Sequence, residues 1–460
     1  MRLRKPEEVY STSRSSNLRM VLDPYIVLPA VTIFVFSLCA LYSVVYHPIA
    51  FEIQPDLATD FSTPFVKHLV WGLLGLAGMT WFAFSDLEKV RGRTVGIYAG
   101  GILLLVLVLV PGIGLKIRNI RAWISLGFIT FQPSEIVKIV LVLSAARFLS
   151  SPSRESKPLI SLLSSAVLVG VPAALVLKQP DMGTVIVFLS LLLTLPFAAG
   201  LPSQYLVLIL VSCILAGVRL MTGMAVESLN ILPDGFMKII VTDSRPALAL
   251  LVVMTVAGVA VAFAMRLMRM RHSFTAFLYA FLPAASLYGS FLLTDHLKPY
   301  QKLRLLTFLA PQLDPKGSGY NIIQSQIAFG SGGIFGKGFR GATQSALGFL
   351  PERQTDFIFS VIGEVFGFFG VAMVVGAFAL LVLRILWISA QARDRFGSLI
   401  CVGTATILMT HVVVNMGMAI GMMPIMGIPL PLASYGGTAM VTVFTLLGLV
   451  LAVERETRQL

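Results

Sequence analysis

The feature of this 460-residue sequence that most limits its fold is a succession of long apolar runs. About 20 apolar residues in a helix cross the roughly 30 Å of hydrocarbon in a bilayer, and runs of this kind recur along the chain. Hydrophobic residues make up 57% of the sequence and charged residues only 12%, which is too apolar for a soluble globular domain. The sequence therefore predicts an all-α fold, a polytopic membrane helical bundle.

Twelve apolar runs are predicted to span the membrane. They lie at 26–46, 67–84, 94–111, 133–149, 159–177, 183–198, 203–220, 246–266, 273–293, 357–384, 397–420 and 431–453. No small-residue cleavage pattern follows the basic amino terminus, so the first run is expected to stay as a spanning helix. The predicted domains are a cytoplasmic segment at 1–25, an integral membrane domain at 26–453 and a cytoplasmic tail at 454–460.

The formal net charge of +13 indicates membrane topology rather than nucleic-acid binding, because Lys and Arg cluster between the apolar runs. Basic residues precede the first run and fill the connections that begin near Ser85, Ser150, Arg266 and Trp387. The positive-inside rule places these connections in the cytoplasm, together with both chain termini. We therefore expect a multi-pass protein of the inner (cytoplasmic) membrane.

Two connections on the opposite face differ from the others. Lys116, Arg118 and Arg121 lie between the third and fourth runs, where an anionic ligand or an interfacial helix would account for cations outside the cytoplasm. The longest connection, at 294–356, is polar and rich in glycine. A loop of that length is usually functional or disordered, and its aromatic and aliphatic content argues against disorder. We expect the chemistry in this external loop.

Two short motifs place ionisable residues near helix ends. The QPSE motif at 132–135 is followed by Lys138, which shares a helix face with Glu135. These two residues form either a plain interfacial ion pair or a functional pair, because charges within a span are costly unless paired or facing a cavity. In the QPD motif at 179–181, Asp181 either caps the following helix or has a functional role.

The external loop carries several candidate ligand-binding cations. Arg304 lies near its start, and the glycine-rich run at 330–338 contains Lys337 and is followed by Arg340. The run lacks the glycine and Ser/Thr positions that define a phosphate-binding P-loop. Its backbone N–H groups, with the two nearby cations, could still approach a pyrophosphate.

The boundary between this loop and the next apolar run places Asp356 at the membrane surface. One interpretation is a carboxylate in the first helical turn with Thr355 as the cap, and the other is a general base that acts on a lipid headgroup. In the eleventh run, His411 shares a helix face with Asn415, but a lone histidine is a weak metal signal.

In order and wording, these motifs resemble those of the SEDS family (shape, elongation, division and sporulation). They are QPSE with a following Lys, QPD-x-GT, the Arg to Gly-Tyr to Gln-Ser loop, LPE to TDFIF, and PLP to SYGG, within 121–437. The stretch at 341–353 resembles the RodA branch more than the FtsW branch. The family usually has ten spans, so the runs within 203–266 are expected to be an inserted pair. Gln354 and Val365 stand where the family often has His and a second Glu.

The resemblance implies a peptidoglycan glycosyltransferase that polymerises lipid II outside the cytoplasmic membrane for cell-wall elongation and cell shape. The family's catalytic aspartate matches Asp356, its membrane Glu and Lys match Glu135 and Lys138, and its QPD aspartate matches Asp181. We interpret Asp356 as a general base for the acceptor sugar's 4-hydroxyl. The implied partners are lipid II, a class B penicillin-binding protein transpeptidase and the elongation or division machinery, with no nucleic acid.

Other functions stay open from the sequence: a lipid II flippase, a scaffold for a transpeptidase, or an FtsW-like septal polymerase. Transport predicts dependence on Glu135 and Lys138, whereas polymerisation predicts dependence on an external carboxylate. The loop cations Arg304, Lys337 and Arg340 are candidate pyrophosphate contacts. No cofactor is evident, and a divalent cation such as Mg²⁺ could share that task, although no metal-ligand spacing defines a site.

Overall fold

A computed structural model describes residues 22–46, 63–117, 120–125, 127, 130–151, 158–229, 235–270 and 273–458. Most of the basic segment predicted at 1–25 lies outside these ranges, as do Arg118 and the last two residues of the predicted cytoplasmic tail.

Each predicted apolar run forms a helix over most of its length. In chain order the elements are α1 (Pro24–Val45), α2 (Pro64–Ala83), α3 (Leu87–Leu109), β1 (Gly114–Ile117), β2 (Ile120–Ser125), β3 (Thr130–Phe131), α4 (Pro133–Leu149), α5 (Pro158–Lys178), α6 (Met182–Ala198), α7 (Ser203–Leu229), α8 (Phe236–Thr242), α9 (Ser244–Leu267), α10 (Ser273–His296), α11 (Pro299–Leu309), α12 (Ser318–Ser331), α13 (Gly338–Gly341), α14 (Thr343–Ala346), α15 (Ile358–Gln391), α16 (Arg395–Ala419) and α17 (Gly437–Arg458). The all-α membrane bundle is therefore confirmed.

Ten helices in the described part of the chain are long and apolar enough to cross a membrane. The helices α4 and α6, which complete the predicted set of twelve, have only 17 residues each. A helix of that length covers about 25 Å, slightly less than the roughly 30 Å hydrocarbon layer. The twelve-span count stays a prediction, whereas the multi-pass character of the protein is established.

Capping side chains set the starts of several long helices. Asp23, Asp86 and Asp394 accept hydrogen bonds from backbone N–H groups at the starts of α1, α3 and α16. Pro24 occupies the first turn of α1, where a missing N–H costs nothing. These caps satisfy backbone donors that would otherwise be left without partners at the helix ends.

The connection between α3 and α4 forms a small antiparallel sheet in the order β1-β2-β3. Lys116 pairs with Arg121, and Ile124 pairs with Phe131 across the strands. The interfacial helix considered for these cations is therefore wrong. Isoleucine and aromatic residues in this segment favour strands over a helix. An anionic ligand for Lys116 and Arg121 stays a prediction.

The described chain separates into two compact units. The main unit comprises residues up to 200 and from 323 onward, and the second unit comprises residues 201–322. In the main unit α17 packs on α2, α15 packs on α1 and α16, and α16 packs on α4 and α6. The largest buried side chains of this core include Phe188, Phe378, Phe396 and Phe444.

The second unit is built on α7, α9 and α10, with α10 packed against the other two. A Cβ added at Gly258 of α9 would lie 3.0 Å from the Cβ of Ala280, so the two helix backbones approach closely there. The unit contains the runs at 203–266, whose status as an inserted pair stays a prediction.

The segment predicted as a long loop at 294–356 is largely helical in the structure. It contains α11, α12, the short helices α13 and α14, and a 3₁₀ turn at Pro311–Leu313. α13 and α14 have 4 residues each, less than a helical period needs, whereas α11 and α12 have 11 and 14 residues and an amphipathic pattern that the sequence prediction overlooked.

Candidate functional site

Asp356 lies in a turn directly before α15 and is partly exposed. The backbone N–H groups of Thr355, Asp356 and Phe357 all bond to the carbonyl oxygen of Glu352, at 3.1, 3.1 and 3.3 Å. Phe357 is the N-cap residue of α15, so the predicted Thr355 cap is wrong. The Thr355 hydroxyl instead bonds within the turn to the Glu352 carbonyl, at 3.3 Å.

The loop between α16 and α17, residues 420–436, holds this turn in place. The Ser434 hydroxyl donates to the Thr355 carbonyl at 2.5 Å, and the backbone N–H of Tyr435 donates to the Gln354 carbonyl at 2.8 Å. Gly427 faces the acid itself, because a Cβ added there would lie 3.7 Å from Asp356 Oδ2. Gly427 also has a φ of +67°, which favours glycine. The fourth and fifth sequence motifs thus pack together. We call residues 352–357 the Asp356 turn and residues 420–436 the 420–436 loop.

Glu135 and Lys138 form a buried ion pair in the first turns of α4. Lys138 Nζ lies 2.7 Å from Glu135 Oε1, and the two residues are only 1% and 4% exposed respectively. Lys138 Nζ also lies 3.0 Å from Nε2 of His411, a buried residue of α16. The pair is therefore not a solvated interfacial contact. Its lysine also contacts a third ionisable group, His411.

Asp181 caps α6, as one interpretation of the sequence predicted. Its Oδ1 accepts from the Thr184 backbone N–H at 3.1 Å, and its Oδ2 accepts from the Thr184 hydroxyl at 2.7 Å. Oδ2 also accepts from Gln132 Nε2 at 3.0 Å. Because Gln132 is the N-cap residue of α4, the starts of α4 and α6 meet. The cap is confirmed, and a substrate contact by Asp181 stays a prediction.

A narrow cavity adjoins the ion pair and the 420–436 loop. Its lining includes Glu135, Lys138, His411, Pro429 and Ser434, and about 10 Å³ is accessible to the centre of a water molecule. That is enough for about one water and too little for a sugar. The cavity joins the residues of the first and fifth motifs within the main unit.

The glycine-rich run packs against the start of α15. A Cβ added at Gly332 would lie 1.9 Å from the Gly363 carbonyl oxygen, and one at Gly336 would lie 2.1 Å from the Val365 carbonyl oxygen. Gly367, with a φ of +65°, interrupts α15 opposite this run. Close backbone approach therefore explains these glycines without a bound pyrophosphate.

Glu364 organises the residues around Lys337, a role that the sequence reasoning missed. Its carboxylate accepts backbone N–H bonds from Gln344 at 2.8 Å and Ser345 at 2.9 Å, and Lys337 Nζ lies 3.8 Å away. Glu364 is fully buried, whereas Lys337 and Arg340 are exposed. A carboxylate inside an apolar run was the available sequence signal.

Arg353 contacts the same short segment that Glu364 holds. Its Nη1 donates to the carbonyl oxygens of Ser345 and Ala346, the latter at 3.1 Å. Burial lowers the pKa of the Arg353 guanidinium from its usual value. The motif that contains Asp356 is thereby tied to α14, and through it to Glu364.

Arg304 is the one predicted site residue in the second unit. It is exposed on α11, with its guanidinium carbon 6.0 Å from the ring centroid of Tyr300. The other six predicted residues, Asp356, Lys337, Arg340, Glu135, Lys138 and Asp181, lie in the main unit. Across the described residues, no three His, Cys, Asp or Glu side chains converge on a candidate metal site.

The second unit also contains a polar pocket of about 450 Å³ that the sequence did not indicate. Arg219 lies in its wall, donating to the Thr294 hydroxyl at 2.9 Å and to the Val241 carbonyl at 3.2 Å. Glu227, Asp295 and Lys302 also line the pocket. Arg219 and Glu227 lie on α7, Asp295 near the end of α10 and Lys302 on α11, so no single local pattern marks the pocket.

These features define a class of protein: a multi-pass helical membrane protein in which short sequence motifs meet around a carboxylate at a helix start and a buried ion pair. A family model described as a cell cycle protein, FTSW_RODA_SPOVE, matches residues 29–231 and 236–459. The chain belongs to this family, and the resemblance to SEDS proteins is confirmed.

Curated relatives come from both named branches of the family. The chain is 37% identical over 402 residues to "Peptidoglycan glycosyltransferase RodA" of Treponema pallidum, covering 87% of this chain and 91% of the relative. It is 34% identical over 364 residues to "Peptidoglycan glycosyltransferase MrdB" of Escherichia coli K12, covering 78% and 77%. It is 33% identical over 398 residues to "Probable peptidoglycan glycosyltransferase FtsW" of Coxiella burnetii, covering 85% and 87%.

Solved structures share the fold. One, described as "Structural coordination of polymerization and crosslinking by a peptidoglycan synthase complex", matches with a TM-score of 0.64 and 29% identity, covering 95% of this chain and 98% of that chain. The rod shape determining protein RodA of Thermus thermophilus matches with a TM-score of 0.55 and 25% identity, with the same coverage.

Proposed function

We propose that this protein is a peptidoglycan glycosyltransferase that polymerises lipid II into glycan strands for cell-wall elongation and cell shape. The observation that carries the proposal is the partly exposed Asp356, fixed by the Glu352 turn and the 420–436 loop. The names of the relatives in both branches, all peptidoglycan glycosyltransferases, support the reaction. The higher identity to the RodA relative favours elongation over septal synthesis.

Asp356 acts as the general base in the proposed mechanism. Its carboxylate takes the proton of the acceptor sugar's 4-hydroxyl, while the hydroxyl oxygen forms a bond to the anomeric carbon of the donor sugar. The bond from that carbon to the pyrophosphate oxygen breaks, and the lipid pyrophosphate leaves with the electron pair. Fixing the carboxylate through its own backbone reduces the freedom that would be lost on reaching the transition state.

The leaving pyrophosphate needs positive charge around it. Lys337 and Arg340 are exposed in the same unit as Asp356, which supports their proposed role as pyrophosphate contacts, whereas Arg304 of the second unit is proposed as a contact from its sequence motif alone. Lys337 is tethered near the buried Glu364, which supports a defined position for its ammonium group. Glu135, Lys138 and Asp181 are engaged with protein groups, and we propose that they shape the substrate site.

We further propose that the protein lies in the inner membrane with both termini in the cytoplasm and residues 294–356 outside. The basic connections between runs support this orientation. A class B penicillin-binding protein is the proposed partner, because a matching structure is described as a peptidoglycan synthase complex that coordinates polymerisation and crosslinking.

The test is polymerisation of lipid II by the purified protein, alone and with its transpeptidase, with products resolved on a gel. We expect Asp356→Asn, which keeps the side-chain shape, to lower the rate at least ~100-fold, the typical contribution of a general base. Asp86→Asn is the matched control, because Asp86 is an exposed cap paired with Lys89. Equal polymer from Asp356→Asn would remove its role as base. No polymer from the wild type, even with the partner, would contradict the proposed function and favour transport or scaffolding.

A further inference from the structure

We propose that His411 and Asn415 of α16 are positioning residues for the reaction, which hold the Asp356 turn and the 420–436 loop in register. This inference rests on the proposed function. Both side chains are buried inside a membrane helix, at 4% and 0% exposed, and they lie one turn apart on the same face. Polar side chains in such positions are costly unless their hydrogen bonds are satisfied, so their partners indicate what they do.

Asn415 joins the turn and the loop directly. Its Nδ2 donates to the carbonyl oxygen of Asp356 and to that of Ile428, each at 2.8 Å. Both partners are acceptors only, so the amide nitrogen must face them and both of its hydrogens are used. Its Oδ1 is buried without a hydrogen-bond partner among the described residues. The side chain is therefore arranged to bridge these two carbonyls, and it leaves its own oxygen unsatisfied.

This bridge constrains the carboxylate as well as the backbone. Ile428 follows Gly427, whose Cβ position lies 3.7 Å from Asp356 Oδ2. Asn415 thus fixes the backbone of Asp356 and the loop wall beside its side chain through a single amide group. Because Asn415 bonds to the backbone of Asp356, we expect it to affect where the carboxylate lies rather than how strongly it binds substrate.

His411 connects the same loop to the buried ion pair. Its Nδ1 lies 2.8 Å from the carbonyl oxygen of Pro429, which only accepts, so Nδ1 carries the proton. In the neutral ring Nε2 is then an acceptor, which suits the 3.0 Å contact with Lys138 Nζ. A chain of hydrogen bonds therefore runs from Glu135 through Lys138 and His411 to the loop.

The two residues act on neighbouring carbonyls, Ile428 and Pro429, from one helix face. This arrangement gives the Glu135–Lys138 pair a route to the Asp356 turn through His411 and the loop backbone. Neither residue needs to touch the substrate for this role, which distinguishes it from that of the proposed base.

The experiment measures steady-state polymerisation of lipid II by purified Asn415→Leu and His411→Phe proteins. Each change removes the donor, Nδ2 of Asn415 or Nδ1 of His411, and replaces the side chain with an apolar one of similar shape. Because small displacements of a reacting group are costly, we expect kcat to fall roughly 10- to 100-fold, with KM within about threefold of the wild type. His411→Asn keeps an N–H near the position of Nδ1, so we expect it to recover most of the lost kcat.

The matched control is Thr404→Val, which removes a buried hydroxyl of α16 whose one hydrogen bond among the described residues is within its own helix, to the Ile400 carbonyl at 2.9 Å. We expect wild-type kcat from it. Folding is checked by size-exclusion chromatography and thermal unfolding, and if Asn415→Leu does not fold, the two His411 variants decide. Wild-type kcat in the folded variants, a change confined to KM, or no recovery in His411→Asn would overturn the inference. Failure of the proposed function is separate, since it would appear as an inactive wild type or an active Asp356→Asn.

Discussion

Gly332 shows how a single residue decides packing at the start of α15. The Gly363 carbonyl occupies the place of a side chain, 1.9 Å from the Cβ position, and this atom belongs to backbone that cannot easily move. We expect Gly332→Ala to destabilise the protein by about 2 kcal/mol or more through overpacking, measured as a lower thermal unfolding midpoint in detergent. Gly330→Ala is the control, because nothing lies within 4 Å of its Cβ position. Equal midpoints for the two variants would contradict this account.

The buried carboxylate of Glu364 gives a second prediction at the same scale. In Glu364→Gln one carboxylate oxygen becomes an NH₂ group, which would face the N–H of Gln344 or Ser345. Because a buried donor then loses its acceptor, we expect a loss of about 1 to 3 kcal/mol in the free energy of unfolding. Chemical denaturation would measure it, with the exposed Glu88→Gln as the control. An unchanged free energy would show that the segment around Gln344 is held by other contacts.

Local sequence patterns correctly predicted the contacts of some site residues and missed those of others. The cap at Asp181 could be predicted because it depends only on a turn and a backbone N–H three residues later in the chain. The Thr355 cap was wrong because Glu352 adopts a φ of +49° and gathers three N–H groups, an arrangement supported by the distant 420–436 loop. The partners of Glu364 lie 19 and 20 residues away, beyond the reach of any local pattern.

At the level of whole helices, a buried ion cluster fastens α15 to α1 and α17. Arg384 of α15 contacts Asp23 at 2.5 Å and Glu454 at 2.7 Å, and both acids are nearly fully buried. Arg384 is the cation that Asp23 and Glu454 share, so its removal leaves the negative charges of these buried carboxylates less well balanced. We expect Arg384→Ala to cost about 3 to 5 kcal/mol, seen as a large drop in the thermal unfolding midpoint.

The control for this cluster is Arg393→Ala, which removes an exposed arginine just beyond the end of α15. A surface change of that kind should alter stability by no more than about 0.5 kcal/mol. If Arg384→Ala and Arg393→Ala unfold at the same temperature, the cluster does not fasten these helices.

Helices could be predicted from the sequence more fully than the segments between them. Length and apolarity are sufficient for a membrane helix, because its backbone hydrogen bonds are satisfied within the segment itself. The sheet at 114–131 and the helices α11 to α14 depend on short segments pairing or packing with others. The glycines and prolines between these short segments favoured the prediction of a loop, although α11 and α12 have an amphipathic pattern of their own.

On the scale of the whole main unit, motifs far apart in sequence meet because α4, α6 and α15 all start at the same end of the unit. The starts of α4 and α6 are joined by the hydrogen bond from Gln132 to Asp181. A Cβ added at Gly183 of α6 would lie 2.8 Å from the Met426 carbonyl, so α6 also begins beside the loop that holds Asp356. The order of the motifs suggested a common site, but only the packing of the helices shows how they converge.

The same geometry argues that α4 and α6 cross the membrane despite having 17 residues each. α5 is a candidate span that packs on both of them. Its last residue, Lys178, is close in sequence to Asp181, which contacts the start of α4. If α5 crosses the membrane, α4 and α6 must run antiparallel beside it and cross as well. Twelve spans then place Lys178 outside, whereas ten spans without α4 and α6 place it in the cytoplasm.

Cysteine labelling in cells distinguishes these topologies, in a variant whose native Cys39, Cys213 and Cys401 have been replaced. We expect a membrane-impermeant maleimide to label Lys178→Cys, an exposed position, without permeabilisation. Ser203→Cys, which is also exposed and is cytoplasmic in both topologies, should be labelled only after permeabilisation. Labelling of Lys178→Cys only in permeabilised cells would contradict twelve spans. It would also place Asp181 on the side of the membrane opposite residues 294–356, which stay outside in both topologies, and so would contradict the packing of α6 beside the loop that holds Asp356.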